Sequence, residues 1–460
     1  MQECSASMTE KYESKRTSER TPLGRRSRLS AGVLILLPPT LGYLYVRLFG
    51  VNVVYGDEWR IASLFDKLAS DELKLAHLWT QLNEHRIFIP KVVILSLGNL
   101  TKWNTVAEMY VTQTLFLVTL FVLFVAFDGS IRSRYQLLLF APVSFLVFSL
   151  RQTENMLMGL LMQFALVLAF AVLAFYFLQA LRQKPSSKLA FPVALASATL
   201  ASLSSAQGLL VWPVGFVQLL IGQPRRRTKW FLVGSWSLLG VAEWVFYFLG
   251  YRIPAHTAAN PSDDLVAGPL YFVGFFLTAM GSSLSWWQGA AFAIGLLLLA
   301  LVGAGMFLIV REGRLAEYSF WASLLLFSFL VLLSVTVGRA ERDIDQALVS
   351  RYTTYSILGV VGLYAMLAKL RLEGKSRLSA LLFGTLLVAI ALSAPLTYAE
   401  GVQAGISTEV TRERAAYILA TYESQPDSRL TSLDPNPQLV RKRAPILQRL
   451  DYNVFSESGP

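Results

Sequence analysis

The chain has 460 residues, 54% of them hydrophobic and 15% charged, with a mean hydropathy of +0.49. A soluble domain carries about a quarter charged residues, and the apolar residues here stand in long blocks such as 116–127, 157–178 and 289–310, the length that a hydrocarbon core of about 30 Å demands. A soluble globular enzyme is excluded. So is a nucleic-acid binder: the formal charge is +11, but many Lys and Arg residues fall in short clusters between apolar blocks, as in the loops that orient a membrane protein.

Cys4 is the only cysteine, which leaves no intramolecular disulfide and no thiolate metal site. His77, His85 and His256 are too dispersed to read as a zinc motif.

In chain order, residues 1–30 form a polar, basic tail, with Arg25, Arg26 and Arg28 just ahead of Val33. The reading is a cytoplasmic tail followed by an uncleaved first span at 31–49 rather than a signal peptide. That span carries the chain outward into a first extracytoplasmic loop, 51–103, which opens on Gly56-Asp57-Glu58-Trp59. Within it, Ile61, Leu64, Phe65 and Leu68 have helical spacing among Lys and Asp, which predicts an interfacial helix. Residues 86–100 are apolar but short, with Pro90 and Lys91 near their start, and predict a juxtamembrane or re-entrant helix.

Spans are expected at 105–127, 137–150, 156–181, 189–204, 208–222, 230–250, 286–310, 317–337, 353–370 and 378–396, with a re-entrant segment at 268–283. The loops that this threading places inside are basic. They hold Arg132 and Arg134; Arg182, Lys184 and Lys188; Arg225 to Arg227 and Lys229; Arg311 and Arg314; and Lys369, Arg371, Lys375 and Arg377. The fold class is therefore all-α: a polytopic integral membrane protein of about eleven spans plus interfacial and re-entrant helices. The transmembrane part covers 31–396, and 397–460 forms an extracytoplasmic helical tail that packs on the outer loops. Helical character is expected at 409–422 and at Pro437–Leu450, the latter capped by Asn436.

The unusual polar segments all fall at outward ends of spans: Gly56–Arg60, 83–91 (NEHRIFIPK), 151–155 (RQTEN), 204–208 (SSAQG) and 338–355 (GRAERDIDQALVSRYTTY). Their convergence predicts one extracytoplasmic cavity. Asp57 and Glu58 suit a general base, a ligand of Mg or Mn, or both, and mutual repulsion would raise one pKa. The alternative is a solvated loop acid that caps the helix starting at Trp59. His85 and Arg86 suit a phosphate contact or proton transfer, or else interfacial anchoring, with Glu84 a helix-end acid. Arg151 and Glu154 read as an ion pair across a turn. Arg351 and Tyr352 suit an anionic lipid phosphate, since Arg offers a bidentate fork, or an outer-interface anchor. Glu243 is the one acid placed deep in a span. Asp263 and Asp264 read as ordinary loop residues, and Trp286 and Trp287 as an interfacial belt.

One span and then an outer loop opening on Asp57-Glu58 resembles the GT-C superfamily of membrane glycosyltransferases, which includes the protein O-mannosyltransferases and the lipid A aminoarabinose transferases. The resemblance implies a polyprenyl-phosphate-linked sugar donor and a catalytic carboxylate in this loop. It makes Asp57 the base or acceptor-orienting residue, with Glu58 beside it, and sets the segment holding His85 and Arg86 near the lipid phosphate; the residues themselves add Arg351, Tyr352, Arg151 and Glu154 as candidate donor-phosphate and substrate contacts. The segment NEHRIFIPK is similar to the stretch where such enzymes carry a His- or Lys-Pro-Pro motif, but here only Pro90 stands in it. The texture of NEHRIFIPK, RQTENMLMG, QGLLVWPVG, SRYTTYS and LDPNPQLVRKRA also resembles a group of uncharacterised bacterial membrane proteins.

The implied function is transfer of a sugar from a polyprenyl-phosphate donor to a glycan or lipid acceptor of the cell envelope, at the outer face of a bacterial inner membrane. A flippase of a lipid-linked intermediate and a non-catalytic subunit of an envelope complex are the competing readings. No internal repeat of the two halves, expected of many transporters, is visible.

Overall fold

A computed structural model describes residues 25–184, 186–222, 226–253, 268–339, 343–374 and 376–456. The expectations for residues 1–24, Arg225, His256, Asp263, Asp264, the 340–342 part of the 338–355 segment and Lys375 lie outside the described residues.

Among the described residues the chain is helical, with an isolated bridge between Leu82 and His85 and no strand. Nine of these helices are long and apolar enough to cross a bilayer. Eleven spans were expected, and the difference lies in two of them. Ala190–Ser202 and Val211–Gly222 have 13 and 12 residues, roughly 20 Å at 1.5 Å per residue and short of a core of about 30 Å. The segment expected to be re-entrant forms the short helix Pro269–Gly281.

Two helices make the centre: Ser350–Glu373, with 89% of its apolar window buried, and Met162–Gln183, whose span has 78% buried. Gly359 and Gly362 let Ser350–Glu373 close on Ser319–Arg339, where a β-carbon would strike Ser328 and the Trp321 carbonyl, as small residues do in membrane helix packing. Arg25–Phe49, Arg226–Phe248 and Arg377–Ala420 lie at the periphery and leave Leu36, Val245, Leu381 and Leu392 exposed, as lipid-facing surfaces require. The first of these contains Pro38 and Pro39. Pro39 has no N–H to give the Ile35 carbonyl; Ser144 Oγ on Gln136–Val147 donates to it instead, at 2.7 Å.

The last long helix, Arg377–Ala420, has 44 residues and continues through position 397 without a break. Beyond it the chain turns back onto the first loop. Gly56 N donates to Leu433 O at 2.8 Å, Asn453 Nδ2 donates to Asn52 Oδ1 at 2.7 Å, and Arg449 pairs with Asp66. A second hydrophobic core forms there from Trp59, Phe65, Trp103, Leu419, Val440 and Leu447, among others. Asn436 Oδ1 caps Pro437–Leu450 by accepting from Gln438 N at 3.2 Å.

The polar segments gather at this end of the bundle. Ile89 N donates to Leu203 O, Leu160 N to Glu58, and Arg151 to Ser285 O and Leu348 O. At the opposite end Arg314 pairs with Glu317 and Glu373, and Lys369 Nζ donates to Glu317 O.

Candidate functional site

The two adjacent carboxylates do not share a site. Gly56 adopts φ +55°, open to glycine at no steric cost, and turns the chain into the 3-10 turn Gly56–Arg60. With three residues per turn, successive side chains diverge by about 120°. Asp57 faces out, its side chain 39% exposed, while Glu58 is buried at 2%. Glu58 Oε2 accepts from Tyr55 N at 3.0 Å and Oε1 from Leu160 N at 3.2 Å. Burial pushes the Glu58 carboxyl up, opposed by the Arg412 guanidinium and by backbone N–H groups. The cause is loss of water, not repulsion from Asp57. Glu58, one of the two expected catalytic acids, thus ties the first loop to the Gly159–Leu161 turn.

Asp57 has two partners: Arg60 at 3.2 Å from Oδ1, and Asn83 Nδ2, which donates to Oδ2 at 2.9 Å. Asn83 belongs to a tight turn in which Leu82 and His85 exchange backbone hydrogen bonds at 2.8 and 2.9 Å, with Asn83 at φ +48°, a conformation Asn tolerates. One short turn therefore sets Asn83 on Asp57 and His85 into the neighbouring cavity.

That cavity has a volume of about 670 Å³, within the range of small-molecule sites. Leu209, Leu210, Trp244, Phe248 and Val335 supply apolar wall, and the polar part comes from Glu84, His85, Gln207, Arg339 and Tyr352. Arg339 pairs with Glu84 at 3.0 Å. His85 Nδ1 is buried without a hydrogen-bond partner among the described residues. Burial lowers the His85 pKa to about 4, with Glu84 and Asp57 opposing that shift and Arg339 and Arg351 adding to it. His85 is therefore neutral at physiological pH.

Arg86, expected at a donor phosphate, is committed elsewhere. It is 5% exposed; Nε donates to Tyr247 O at 2.8 Å, one terminal nitrogen to Trp79 O at 2.8 Å and the other to Leu249 O at 2.7 Å. Its guanidinium also lies 5.0 Å from the Trp79 ring centroid. It staples the first loop to the end of Arg226–Phe248. Arg151 is likewise structural: 1% exposed, it donates to Ser285 O and Leu348 O and stacks on Trp286.

Glu154 does not pair with Arg151 as expected. It lies 3.4 Å from Arg351 Nε, and both side chains are more than 40% exposed. Tyr352 lines the cavity. Glu243 is part-exposed on Arg226–Phe248 and contributes no lining to that cavity.

Two cations were not singled out from sequence. Arg339 stands in the GRAERD stretch at the end of a span, a legible signal. Arg412 stacks on Tyr55 at 3.3 Å and faces Glu58 and Glu154, yet its position in the last quarter of a long helix offers no cue.

Among the described residues no three His, Cys, Asp or Glu side chains gather as a metal site. With Glu58 turned inward, Asp57 is the member of the adjacent pair open to a Mg or Mn ion, whose shell substrate phosphate would have to complete.

Fold and site together define a multi-pass, all-helical membrane protein with an amphipathic cavity at one end. No family model matches the chain. It is 27% identical over 208 residues to an uncharacterised protein of Archaeoglobus fulgidus, a match covering 42% of this chain and 52% of that protein. That relative is archaeal, whereas the sequence resemblance was to bacterial proteins. Among solved structures the chain is similar to the archaeal oligosaccharyltransferase AglB from Archaeoglobus fulgidus, in complex with an inhibitory peptide and a dolichol-phosphate. The TM-score is 0.47 and the identity 10%, over 95% of this chain and 61% of AglB. The chain thus spans about half the length of the first and about three fifths of the second.

Proposed function

We propose that the protein is a GT-C-like membrane glycosyltransferase that moves a sugar from a polyprenyl-phosphate donor to an envelope glycan or lipid. The observation that carries this reading is the cavity with apolar walls and an ionic end, joined to Asp57 through the 82–85 turn. A donor of this kind has the same two-part chemistry. Its prenyl chain would lie along Leu209, Leu210 and Trp244, and its phosphate at Arg339 and Arg351, where positive charge favours departure of the anionic leaving group. The acceptor hydroxyl oxygen attacks the anomeric carbon and the bond from that carbon to the phosphate oxygen breaks. The electron pair leaves with the phosphate, and the hydroxyl proton passes to Asp57. Tyr352 and neutral His85 offer hydrogen-bonding groups at the cavity, while Glu58, Arg86 and Arg151 hold the frame. A divalent cation, where used, would have Asp57 as its protein ligand and would offset phosphate charge.

The basic end of the bundle is read as cytoplasmic. This puts the site and the C-terminus on the extracytoplasmic side of the plasma membrane.

A photoreactive polyprenyl phosphate tests the donor site. Crosslinks are expected at Leu209, Leu210, Trp244 or Val335 and are expected to weaken in Arg339→Gln. Crosslinking spread over the lipid-facing helices and indifferent to Arg339→Gln would refute it.

A further inference from the structure

A second groove, about 470 Å³ and open to solution, is lined in part by Ser350, at the start of the Ser350–Glu373 helix and two residues from cavity-lining Tyr352. Its lining combines Trp286, Trp287 and Gln288 with Glu154 and Asp345. The sequence makes the two tryptophans a lipid-interface belt, and here they share the groove lining with two carboxylates and an amide. Trp287 is 51% exposed and Asp345, Glu154 and Gln288 are exposed with it.

The tryptophans are set in place before any ligand arrives. Ser285 Oγ accepts from Trp287 N at 3.1 Å, and the Arg151 guanidinium packs 4.2 Å from the Trp286 ring centroid. Trp286 Nε1 is buried and has no hydrogen-bond partner among the described residues, a state that is costly unless something fills it.

An apolar flat face, flanked by carboxylates and an amide that accept and donate hydrogen bonds, matches one ligand chemistry well. A pyranose ring has an apolar face that lies on an indole and a rim of hydroxyls that donate to carboxylates in charge-assisted bonds. Leu348, Val349, Arg151 and Ser350 complete the lining. We propose that this groove is a saccharide-binding subsite, stacking a sugar ring on Trp287 and reading its hydroxyls with Glu154 and Asp345. Resting on the glycosyltransferase reading, this makes the acceptor a glycan presented from solution. Arg351 pairs with groove-lining Glu154 and is one residue from cavity-lining Tyr352.

The test is a printed glycan array of neutral, acidic and amino sugars, probed with fluorescently labelled full-length protein in detergent. Defined glycans are expected to bind. Their signal should fall at least tenfold in Trp287→Ala and Asp345→Asn and return in Trp287→Phe, which keeps an aromatic face. Binding to no glycan, or binding indifferent to both Trp287→Ala and Asp345→Asn, overturns the subsite. Sugar transfer that is unchanged in Trp287→Ala also counts against it. Glycan binding by a protein that transfers no sugar would leave the subsite standing and remove the enzymatic reading instead.

Discussion

Arg86 was expected to hold phosphate, and the structure makes it a staple, so Arg86→Ala separates two different consequences. The substitution strands three carbonyl oxygens, those of Trp79, Tyr247 and Leu249. At about 1 kcal/mol for each buried acceptor left without its donor, the loss is about 3 kcal/mol. The contact with the Trp79 ring adds roughly 0.5–1 kcal/mol. The expected outcome is a lower thermal midpoint in detergent and faster proteolysis between residues 75 and 87, where the Trp79 and Arg86 contacts are made. The donor KM of the fraction that remains folded should be little changed. Arg86→Lys should recover part of the stability, because one ammonium reaches some but not all of three divergent carbonyls. An Arg86→Ala protein with the wild-type midpoint and a donor KM raised tenfold would refute this reasoning and return Arg86 to the phosphate.

The adjacent acids should part in the same way. Glu58→Gln keeps one acceptor but sets an NH₂ group against a backbone N–H, so it is expected to cost about 1 kcal/mol of stability and to leave the chemical step active; a melting curve and a rate on each variant check this. Arg339→Gln should raise the donor KM severalfold with a smaller change in kcat, measured by steady-state kinetics, and a KM left unmoved would place the phosphate elsewhere. His85 gives a pH signature. Its folded pKa, about 4, lies below the ordinary value near 6.5, so the unfolded chain takes up the proton first as pH falls. Stability is unaffected above pH 6.5 and is lost between there and pH 4, by up to about 3 kcal/mol. His85→Gln should flatten that limb of the stability profile, and an identical limb in the variant would show that the fold does not shift the His85 pKa.

The membrane fold was readable because its signal is long and redundant. Each of the nine long helices is a run of apolar residues, and few alternatives compete within a bilayer. The Pro437–Leu450 helix was readable for a local reason, since Asn436 and Pro437 form a cap and first turn that need no distant partner. What failed was whatever depended on side-chain direction or distant contact. Asp57 and Glu58 look equivalent in sequence, and only the 3-10 turn that follows Gly56 sends one outward and the other onto Leu160. Arg86 and Arg351 are both arginines near an apolar segment. Their roles diverge because Arg86 meets carbonyls more than 160 residues away, while Arg351 meets an exposed carboxylate. Arg412 reaches Tyr55 across most of the chain, a pairing that no local pattern encodes.

The central claim is that Asp57 serves sugar transfer at the edge of a lipid-donor cavity. The direct measurement is transfer by purified protein in lipid nanodiscs, using radiolabelled polyprenyl-phosphate sugars and an envelope glycan extract, with wild type beside Asp57→Asn. Label should leave the lipid for the glycan in the wild type. The rate should fall about 10²–10⁴-fold in Asp57→Asn, with stability lowered by no more than about 1 kcal/mol because the contacts of Asp57 to Arg60 and Asn83 are part-exposed. Transfer at the wild-type rate by Asp57→Asn would contradict the account. So would a protein that, in sealed liposomes, carries the intact donor across the membrane and never breaks its glycosidic bond.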